Sequence, residues 1–136
     1  MGYLREYQEW VERFDRERGW DLVPATATCT HLAEEVGEVA RAVLRLSEYK
    51  RDEPASLDEL KQELADAVTF LVKLAYSFGI DLEEALEQNR QKCEARYASV
   101  KAGRHEIERF LDRELTELSR FRRELDERRS DDARKR

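Results

Sequence analysis

The sequence predicts an all-α protein, a bundle of four main helices followed by an additional charged C-terminal helix. Only five glycines and two prolines occur in 136 residues, so few positions interrupt regular structure. Apolar residues recur at intervals of three and four along almost the whole chain, which is the period of an amphipathic helix. The alternating pattern of a half-buried strand is essentially absent.

The first predicted helix covers residues 3 to 18, carries Trp10 on its apolar stripe and is expected to end near Gly19. A loop that contains Pro24 leads to the second helix, predicted from about Thr28 to Ser47. The core face of this second helix is expected to consist of Leu32, Val36, Val39, Val43 and Leu46. Trp10 is interpreted as a core residue for the same reason.

The third and fourth helices are predicted from their start signals. After a polar connection over residues 49–55, Ser56 and Glu59 form a capping box that opens the third helix, and Gly79 ends it. Asp81 with Glu84 opens the fourth helix, which is expected to continue to about Val100. The third helix is expected to bury Leu60, Leu64, Ala67, Val68, Leu71, Leu74, Ala75 and Phe78.

Beyond Gly103 the composition changes to dense mixed charge with a narrow apolar seam. The seam consists of Ile107, Leu111, Leu115, Leu118, Phe121 and Leu125. A seam this narrow suits a partner helix better than a broad core. Residues 128–136 have almost no apolar member and are expected to be a frayed or disordered tail. We therefore divide the chain into a core, residues 1–100, and a charged helix with its tail, residues 101–136.

Composition excludes several classes of protein. Charged residues make up 41% of the chain, but both signs are interspersed and the net charge is only -6, which argues against a long nucleic acid as partner. Cys29 and Cys93 have no metal-knuckle spacing and are interpreted as reduced thiols. No apolar run resembles a signal peptide or a membrane span, so a cytoplasmic protein without membrane contact is expected.

Two acidic motifs lie within the apolar helices, Glu34-Glu35-x-x-Glu38 in the second and Glu63-x-x-Asp66 in the third. Their spacing alone is weak, because the same interval recurs at other pairs such as Glu84 and Glu87. One alternative is that all of these are ordinary solvated carboxylates with Lys or Arg partners. The position of the two motifs relative to the apolar stripes argues against that alternative.

At about 100° per residue, Glu35 and Glu38 fall about 300° and 240° from Leu32, and Glu63 and Asp66 fall at the same angles from Leu60. Two antiparallel helices packed through these stripes can bring both acid edges together. Convergent carboxylates are costly without a cation, so a metal site is indicated. A di-iron centre normally needs Glu-x-x-His pairs, which neither His31 nor His105 supplies. Ligation by carboxylates alone points to Mg²⁺ or Mn²⁺.

The motifs together resemble a known family. The segment Glu34-Glu35-Val36-Gly37-Glu38, followed after 24 residues by Glu63-Leu64-Ala65-Asp66, is similar to the EExxE and ExxD motifs of the MazG-like all-α nucleoside triphosphate pyrophosphohydrolases. Residues 31–40, 66–72 and 79–85 resemble the same family, as do Asn89, Lys92 and Arg96. The resemblance covers roughly residues 3 to 98, and the C-terminal segment lies outside it.

The resemblance implies hydrolysis of a nucleoside triphosphate to a nucleoside monophosphate and pyrophosphate, with Mg²⁺ held by Glu35, Glu38, Glu63 and Asp66. It also implies removal of noncanonical or surplus nucleotides and active sites assembled in a homodimer or higher homo-oligomer. Glu34, one step outward at about 200°, is our candidate to orient or deprotonate the attacking water, although it could equally be another ligand.

The remaining candidates would hold the nucleotide. Asn89, Lys92 and Arg96 share one stripe of the fourth helix and would donate to phosphate oxygens, or would form an ordinary exposed basic face. His31 could contact base or phosphate, or could equally be a partly buried histidine whose hydrogen bonds are satisfied within the protein. Trp20 resembles an aromatic residue that stacks on a nucleobase in some relatives. The alternatives to the leading function are a phosphoribosyl-ATP pyrophosphohydrolase, which shares the fold, and a noncatalytic helical adaptor whose C-terminal seam docks another protein.

Overall fold

The computed structural model describes residues 2–47, 49, 54 and 56–134. The described residues form an all-α protein, as predicted. Five α-helices follow in order: α1 (Tyr3–Arg18), α2 (Ala25–Leu46), α3 (Leu57–Ser77), α4 (Leu82–Arg96) and α5 (Val100–Arg134). The chain divides into two compact units, Met1–Asn89 and Arg90–Arg136, which are described separately below.

The boundary between α1 and α2 differs in part from the prediction. α1 ends at Gly19 as expected, because Gly19 adopts a left-handed φ of 70° that an L side chain disfavours. A short 3₁₀ helix, Trp20–Leu22, occupies part of the predicted loop. The predicted start of α2 at Thr28 was three residues late, because the Pro24 carbonyl already accepts hydrogen bonds from the amides of Ala27 and Thr28, at 2.9 and 3.1 Å.

The start signals of α3 and α4 are confirmed. Ser56 Oγ accepts a hydrogen bond from the Glu59 amide at 3.3 Å, and Asp81 Oδ1 accepts one from the Glu84 amide at 3.0 Å. Gly79, with a φ of 66°, ends α3 as predicted. Most of the predicted polar connection over residues 49–55 lies outside the described residues.

α4 ends at Arg96, so the predicted extension to Val100 was wrong. Ser99 Oγ accepts a hydrogen bond from the Ala102 amide at 3.2 Å, which is the arrangement of an N-cap. Val100 is therefore the first residue of α5 and does not belong to α4.

Within the first unit, α3 packs against both α2 and α1. Contacts between α2 and α3 run in opposite sequence directions: Arg45 bonds to Glu59, whereas His31, earlier in α2, stacks on Phe70, later in α3. The two helices are therefore antiparallel, which is the arrangement that the sequence analysis required for the acid edges to meet, and residues near the middle of each lie side by side.

The fully packed core of the first unit is small. The buried apolar residues are Val11, Ala42, Val72 and Ala75. Six residues of the predicted core faces are 45–67% exposed in the single chain, so their assignment to the core was wrong there, namely Val36, Val43, Leu64, Val68, Leu71 and Phe78. Trp10 is also 46% exposed, so its interpretation as a core residue was wrong for the single chain. It stacks within α1 between Tyr7 and Phe14, at ring distances of 5.5 and 5.1 Å.

α5 is a single helix of 35 residues that continues through Arg134. The expectation of a frayed tail was therefore wrong for residues 128–134, and the last two residues of that predicted tail lie outside the described residues. Opposite charges at helical spacing continue almost to the end of the chain, as between Arg122 and Asp126 at 3.2 Å and between Arg134 and Asp131 at 4.0 Å. Such pairs stabilise a helical segment even where it has no apolar residue. In the part of the chain that the structure describes, no helix has the length and apolar character needed to cross a membrane.

Candidate functional site

Three carboxylates converge where α2 faces α3. Glu35, Glu63 and Asp66 each offer one carboxylate oxygen, and these oxygens all lie within 4.8 Å of one another. Glu35 comes from the middle of α2, and Glu63 and Asp66 lie one turn apart on α3. Three of the four carboxylates whose angular positions predicted convergence thus meet.

The electrostatics of the cluster are unfavourable in the absence of a cation. The pKa of Glu35 is raised above its ordinary value of 4.5, first by partial burial and then by the negative charges of Asp66, Glu63, Glu34 and Glu38. Within the described residues, no Lys or Arg forms an ion pair with any of the three clustered carboxylates. Arg45 pairs with Glu59 at 2.7 Å and Lys73 with Asp15 at 2.9 Å.

The fourth predicted ligand, Glu38, lies outside the cluster. Its Oε2 is 3.7 Å from Nη1 of Arg41, although its charge still contributes to the raised pKa of Glu35. Glu34, the candidate for the water, lies further out: its side chain is 69% exposed and its Oε2 is 3.5 Å from Nδ1 of His31. The structure therefore brings together three of the five acidic residues that the sequence singled out.

Three aromatic rings and one lysine form a row of neighbouring side chains. The row starts at His31, which lies beside Glu34 on α2. His31 stacks on Phe70 at 5.6 Å, and Lys73 Nζ lies 5.8 Å from the Phe70 ring and 5.3 Å from the Trp20 ring. Trp20 is 50% exposed. The two predicted nucleotide contacts, His31 and Trp20, are thus joined through residues that the sequence analysis did not select. Phe70 and Lys73 follow Asp66 by four and seven residues, a spacing that places all three on one helix face.

Asp15 of α1 holds this row in place. It is only 1% exposed, and its two carboxylate oxygens accept hydrogen bonds from Lys73 Nζ at 2.9 Å and from Tyr76 Oη at 2.7 Å. Burial, and then the hydrogen bond to Asp15, raise the pKa of Tyr76 above its ordinary value of 10.0. Lys73 is consequently compensated by Asp15, and its charge is fixed beside Trp20 and Phe70.

The three predicted phosphate contacts all lie on α4 and are exposed. Asn89 is the last residue of the first unit, whereas Lys92 and Arg96 belong to the second. The guanidinium group of Arg96 lies 5.3 Å from the ring centre of Tyr97. A role for these three side chains with phosphate stays a prediction.

The donor set of the cluster fits a hard divalent cation. All three groups are carboxylates from helices in direct contact, two of them half-buried, and no sulfur or imidazole ligand joins them among the described residues. Oxygen ligands of this kind suit Mg²⁺ or Mn²⁺, whereas Zn²⁺ sites commonly include Cys or His.

Comparison with known proteins agrees with the fold and with the position of the acidic motifs. A profile of the MazG nucleotide pyrophosphohydrolase domain matches residues 24–101, which include both motifs and the whole of α2, α3 and α4. The chain therefore belongs to the MazG nucleotide pyrophosphohydrolase family.

A similar relative is the uncharacterised protein YvdC of Bacillus subtilis (strain 168). The two sequences are 30% identical over 102 residues, which is 69% of this chain and 95% of the relative. The similarity thus extends over nearly the whole of the smaller protein.

Proposed function

We propose that this protein is an Mg²⁺-dependent nucleoside triphosphate pyrophosphohydrolase. The products are a nucleoside monophosphate and pyrophosphate, and the biological role is removal of noncanonical or surplus nucleotides. Membership of the MazG family supports the class of reaction. The observation that carries the proposal is the meeting of Glu35, Glu63 and Asp66 without a basic partner in the described chain.

In this proposal Glu35, Glu63 and Asp66 hold the cation, and Glu38, one turn from Glu35 on α2, completes the acidic set. Mg²⁺ supplies charge neutralisation for the triphosphate and polarises the α-phosphoryl group when it is bound. Mn²⁺ has the same ligand preference and is expected to substitute.

The remaining residues act on water and on the nucleotide. Glu34 accepts a proton as water attacks the α-phosphorus, the bond to the bridging oxygen breaks, and that oxygen leaves with pyrophosphate. Its exposure on the outer side of the cluster supports a role with water. Asn89, Lys92 and Arg96 donate to phosphate oxygens. Trp20 and His31 contact the nucleobase, supported by their place in one row of rings.

Pyrophosphate release from a panel of ribonucleoside and deoxyribonucleoside triphosphates, with phosphoribosyl-ATP included, tests the proposal. We expect release that requires Mg²⁺ or Mn²⁺ and stops with a chelator. Asp66→Asn should lower the rate at least about 100-fold, because it removes a charged metal ligand, with helicity by circular dichroism unchanged. Glu9→Gln, at an exposed carboxylate of α1, is the matched control and should retain full activity.

A folded protein that cleaves none of the triphosphates with either metal would contradict the proposal and leave the adaptor as the better alternative. Cleavage of phosphoribosyl-ATP alone would show that the proposed substrate class is wrong. The proposed reaction, hydrolysis with release of pyrophosphate, would stand. Full activity of Asp66→Asn would remove the acidic cluster from the site.

A further inference from the structure

α5 carries a coiled-coil repeat that the proposed catalytic function does not use. From Ile107 onward, residues at alternating steps of four and three are Ile107, Leu111, Glu114, Leu118, Phe121 and Leu125. Five of the six are apolar, and those five are 45–62% exposed. Steps of four and three average 3.5 residues, the repeat that keeps one seam of a helix against a partner helix. In heptad notation, Leu111, Leu118 and Leu125 are a positions and the other three are d positions.

The flanking positions carry a second and independent signal. From Phe110 to Arg129, the g positions are Phe110, Glu117 and Glu124, and the e positions are Leu115, Arg122 and Arg129. In a parallel pair of helices, each g residue lies beside the e residue that comes five positions later in the partner. The resulting pairs are Phe110 with Leu115, Glu117 with Arg122, and Glu124 with Arg129, so each pair joins two apolar groups or two opposite charges.

The same residues disfavour an antiparallel pair. In that orientation g positions face g positions and e positions face e positions. Glu117 and Glu124 would then face glutamates, and Arg122 and Arg129 would face arginines. Like charges across an interface are repulsive, so the residues at the e and g positions select the parallel orientation.

We propose that α5 binds the α5 of a second copy of this chain as a parallel, in-register, two-stranded coiled coil. The occupant is the same segment because one helix supplies both halves of every complementary g–e pair. The contact is isologous, and each residue at an a or d position faces its own counterpart in the second copy.

Glu114 is the one acidic residue among the six a and d positions from Ile107 to Leu125, and it limits the stability of the pair. At its d position, two carboxylates face each other across the two-fold axis. A polar residue at a single core position lowers the stability of a coiled coil while it specifies register.

Within one chain the flanking charges already have local partners. Arg120 lies 2.7 Å from Glu117 and 3.9 Å from Glu124, and Arg122 lies 3.2 Å from Asp126. These side chains are about half exposed or more, so they can contact a partner helix while remaining near their local partners. An exposed local pair contributes little, which leaves the charges available for recognition between chains.

Disulfide trapping in the full-length chain tests the proposal. In a Cys29→Ser, Cys93→Ser background, Arg128→Cys places a thiol at a d position, where parallel helices bring the two copies together. Ser130→Cys places a thiol at an f position on the outer face and is the matched control. In a glutathione redox buffer we expect the Arg128→Cys chain to form at least about ten times more disulfide dimer than the control. Equal trapping of the two variants, or none at position 128, would overturn the proposal.

Charge exchange in the same Arg128→Cys background tests whether the charged e and g residues lie in the contact between the two helices. Glu117→Arg with Glu124→Arg makes both charged g positions basic, and Arg122→Glu with Arg129→Glu makes both charged e positions acidic. Each double variant should trap at least about ten times less than the parent chain, and an equimolar mixture should regain a mixed dimer. Trapping that is unchanged by both double variants would overturn the assignment of these residues to the contact. Dimerisation elsewhere in the chain does not reproduce this pattern of loss and rescue.

Discussion

Glu35 is subject to two opposing requirements. Its pKa is raised by partial burial and by four neighbouring acids, so the ionised form that a cation needs is also the form that the metal-free fold disfavours. Above the raised pKa, the charge of Glu35 lowers the stability of the metal-free protein. This cost disappears as the pH falls through the raised pKa towards the ordinary value of 4.5.

We therefore expect Glu35→Gln to raise the Tm of the metal-free protein by a few degrees at neutral pH, since it removes one charge from a repulsive cluster. The same variant should lose most of the Tm increase that Mg²⁺ gives the parent protein. Thermal unfolding by circular dichroism in chelator and in Mg²⁺ measures both effects, and Glu9→Gln is the control. A lower Tm in chelator would show that Glu35 stabilises the metal-free fold and would contradict this explanation.

The pH dependence of metal binding follows from the same residue. Protons and the cation compete for Glu35, so the affinity of the parent protein for Mg²⁺ should fall as the pH is lowered from neutral through the raised pKa. Titration of the Tm with Mg²⁺ at several pH values measures this affinity. An affinity that stays constant over this range would exclude Glu35 as a ligand.

Among single residues, the sequence located the acidic cluster but not all of its surroundings. Glu35, Glu63 and Asp66 could be placed because helix geometry fixes the angle of each side chain around its axis. Glu38 has the same kind of angle, but its carboxylate lies beside Arg41, a choice of rotamer that spacing does not determine. Phe70 became identifiable as a neighbour of His31 only once the packing of α2 against α3 was known.

On the scale of elements, α1 and α3 are joined by a buried polar group. Asp15 is almost completely enclosed and satisfies both Lys73 and Tyr76 of α3. A buried ion pair contributes little net stability compared with apolar residues, but removal of one partner leaves an uncompensated charge. This contact is therefore sensitive to substitution of either residue alone.

Asp15→Asn should lower the free energy of unfolding by about 3 kcal/mol, because it leaves Lys73 partly buried without its counter-charge. Adding Lys73→Met should recover part of that loss, since the unpaired charge is then absent. Urea denaturation measures both variants, with the exposed substitution Glu17→Gln as control. A loss in Asp15→Asn no larger than in the control would show that the ion pair contributes nothing to the packing of α1.

Element boundaries were predictable where a local side chain fixes them. Ser56 and Asp81 cap α3 and α4 in the structure as their sequence positions predicted, because a cap depends on residues only three positions apart. The start of α2 was missed because a backbone carbonyl, that of Pro24, makes the first contacts and carries no side-chain signal. The end of α5 was missed because a lack of apolar residues was interpreted as disorder, although charge pairs at helical spacing support a helix.

For the molecule as a whole, the apolar faces of α2 and α3 extend beyond what one chain covers. Val36 and Val43 on α2 and Leu64, Val68 and Leu71 on α3 remain about half exposed. Apolar side chains that stay exposed on two packed helices are typical of a site for protein contact. We therefore expect a second self-association through the first unit, separate from the proposed pairing of α5.

A chain truncated after Val100 should consequently remain at least dimeric in analytical ultracentrifugation. Leu71→Glu in the truncated chain should shift it to monomer, because a charge would be buried in an apolar contact. Gln62→Glu introduces a negative charge at an exposed position about 180° around α3 from Leu71 and is the matched control. A truncated parent chain that is monomeric at tens of micromolar would contradict this assembly.

The exposed state of α5 also has a consequence for backbone dynamics. A helix held only by local charge pairs opens readily, so its amide hydrogens exchange with solvent at a rate set by local fraying. If α5 pairs with a second helix, the two chains must dissociate before the hydrogen bonds of α5 can open. Amide exchange along α5 would then slow as the protein concentration rises. The exchange rate of this one helix would thus report the fraction of chains that are paired.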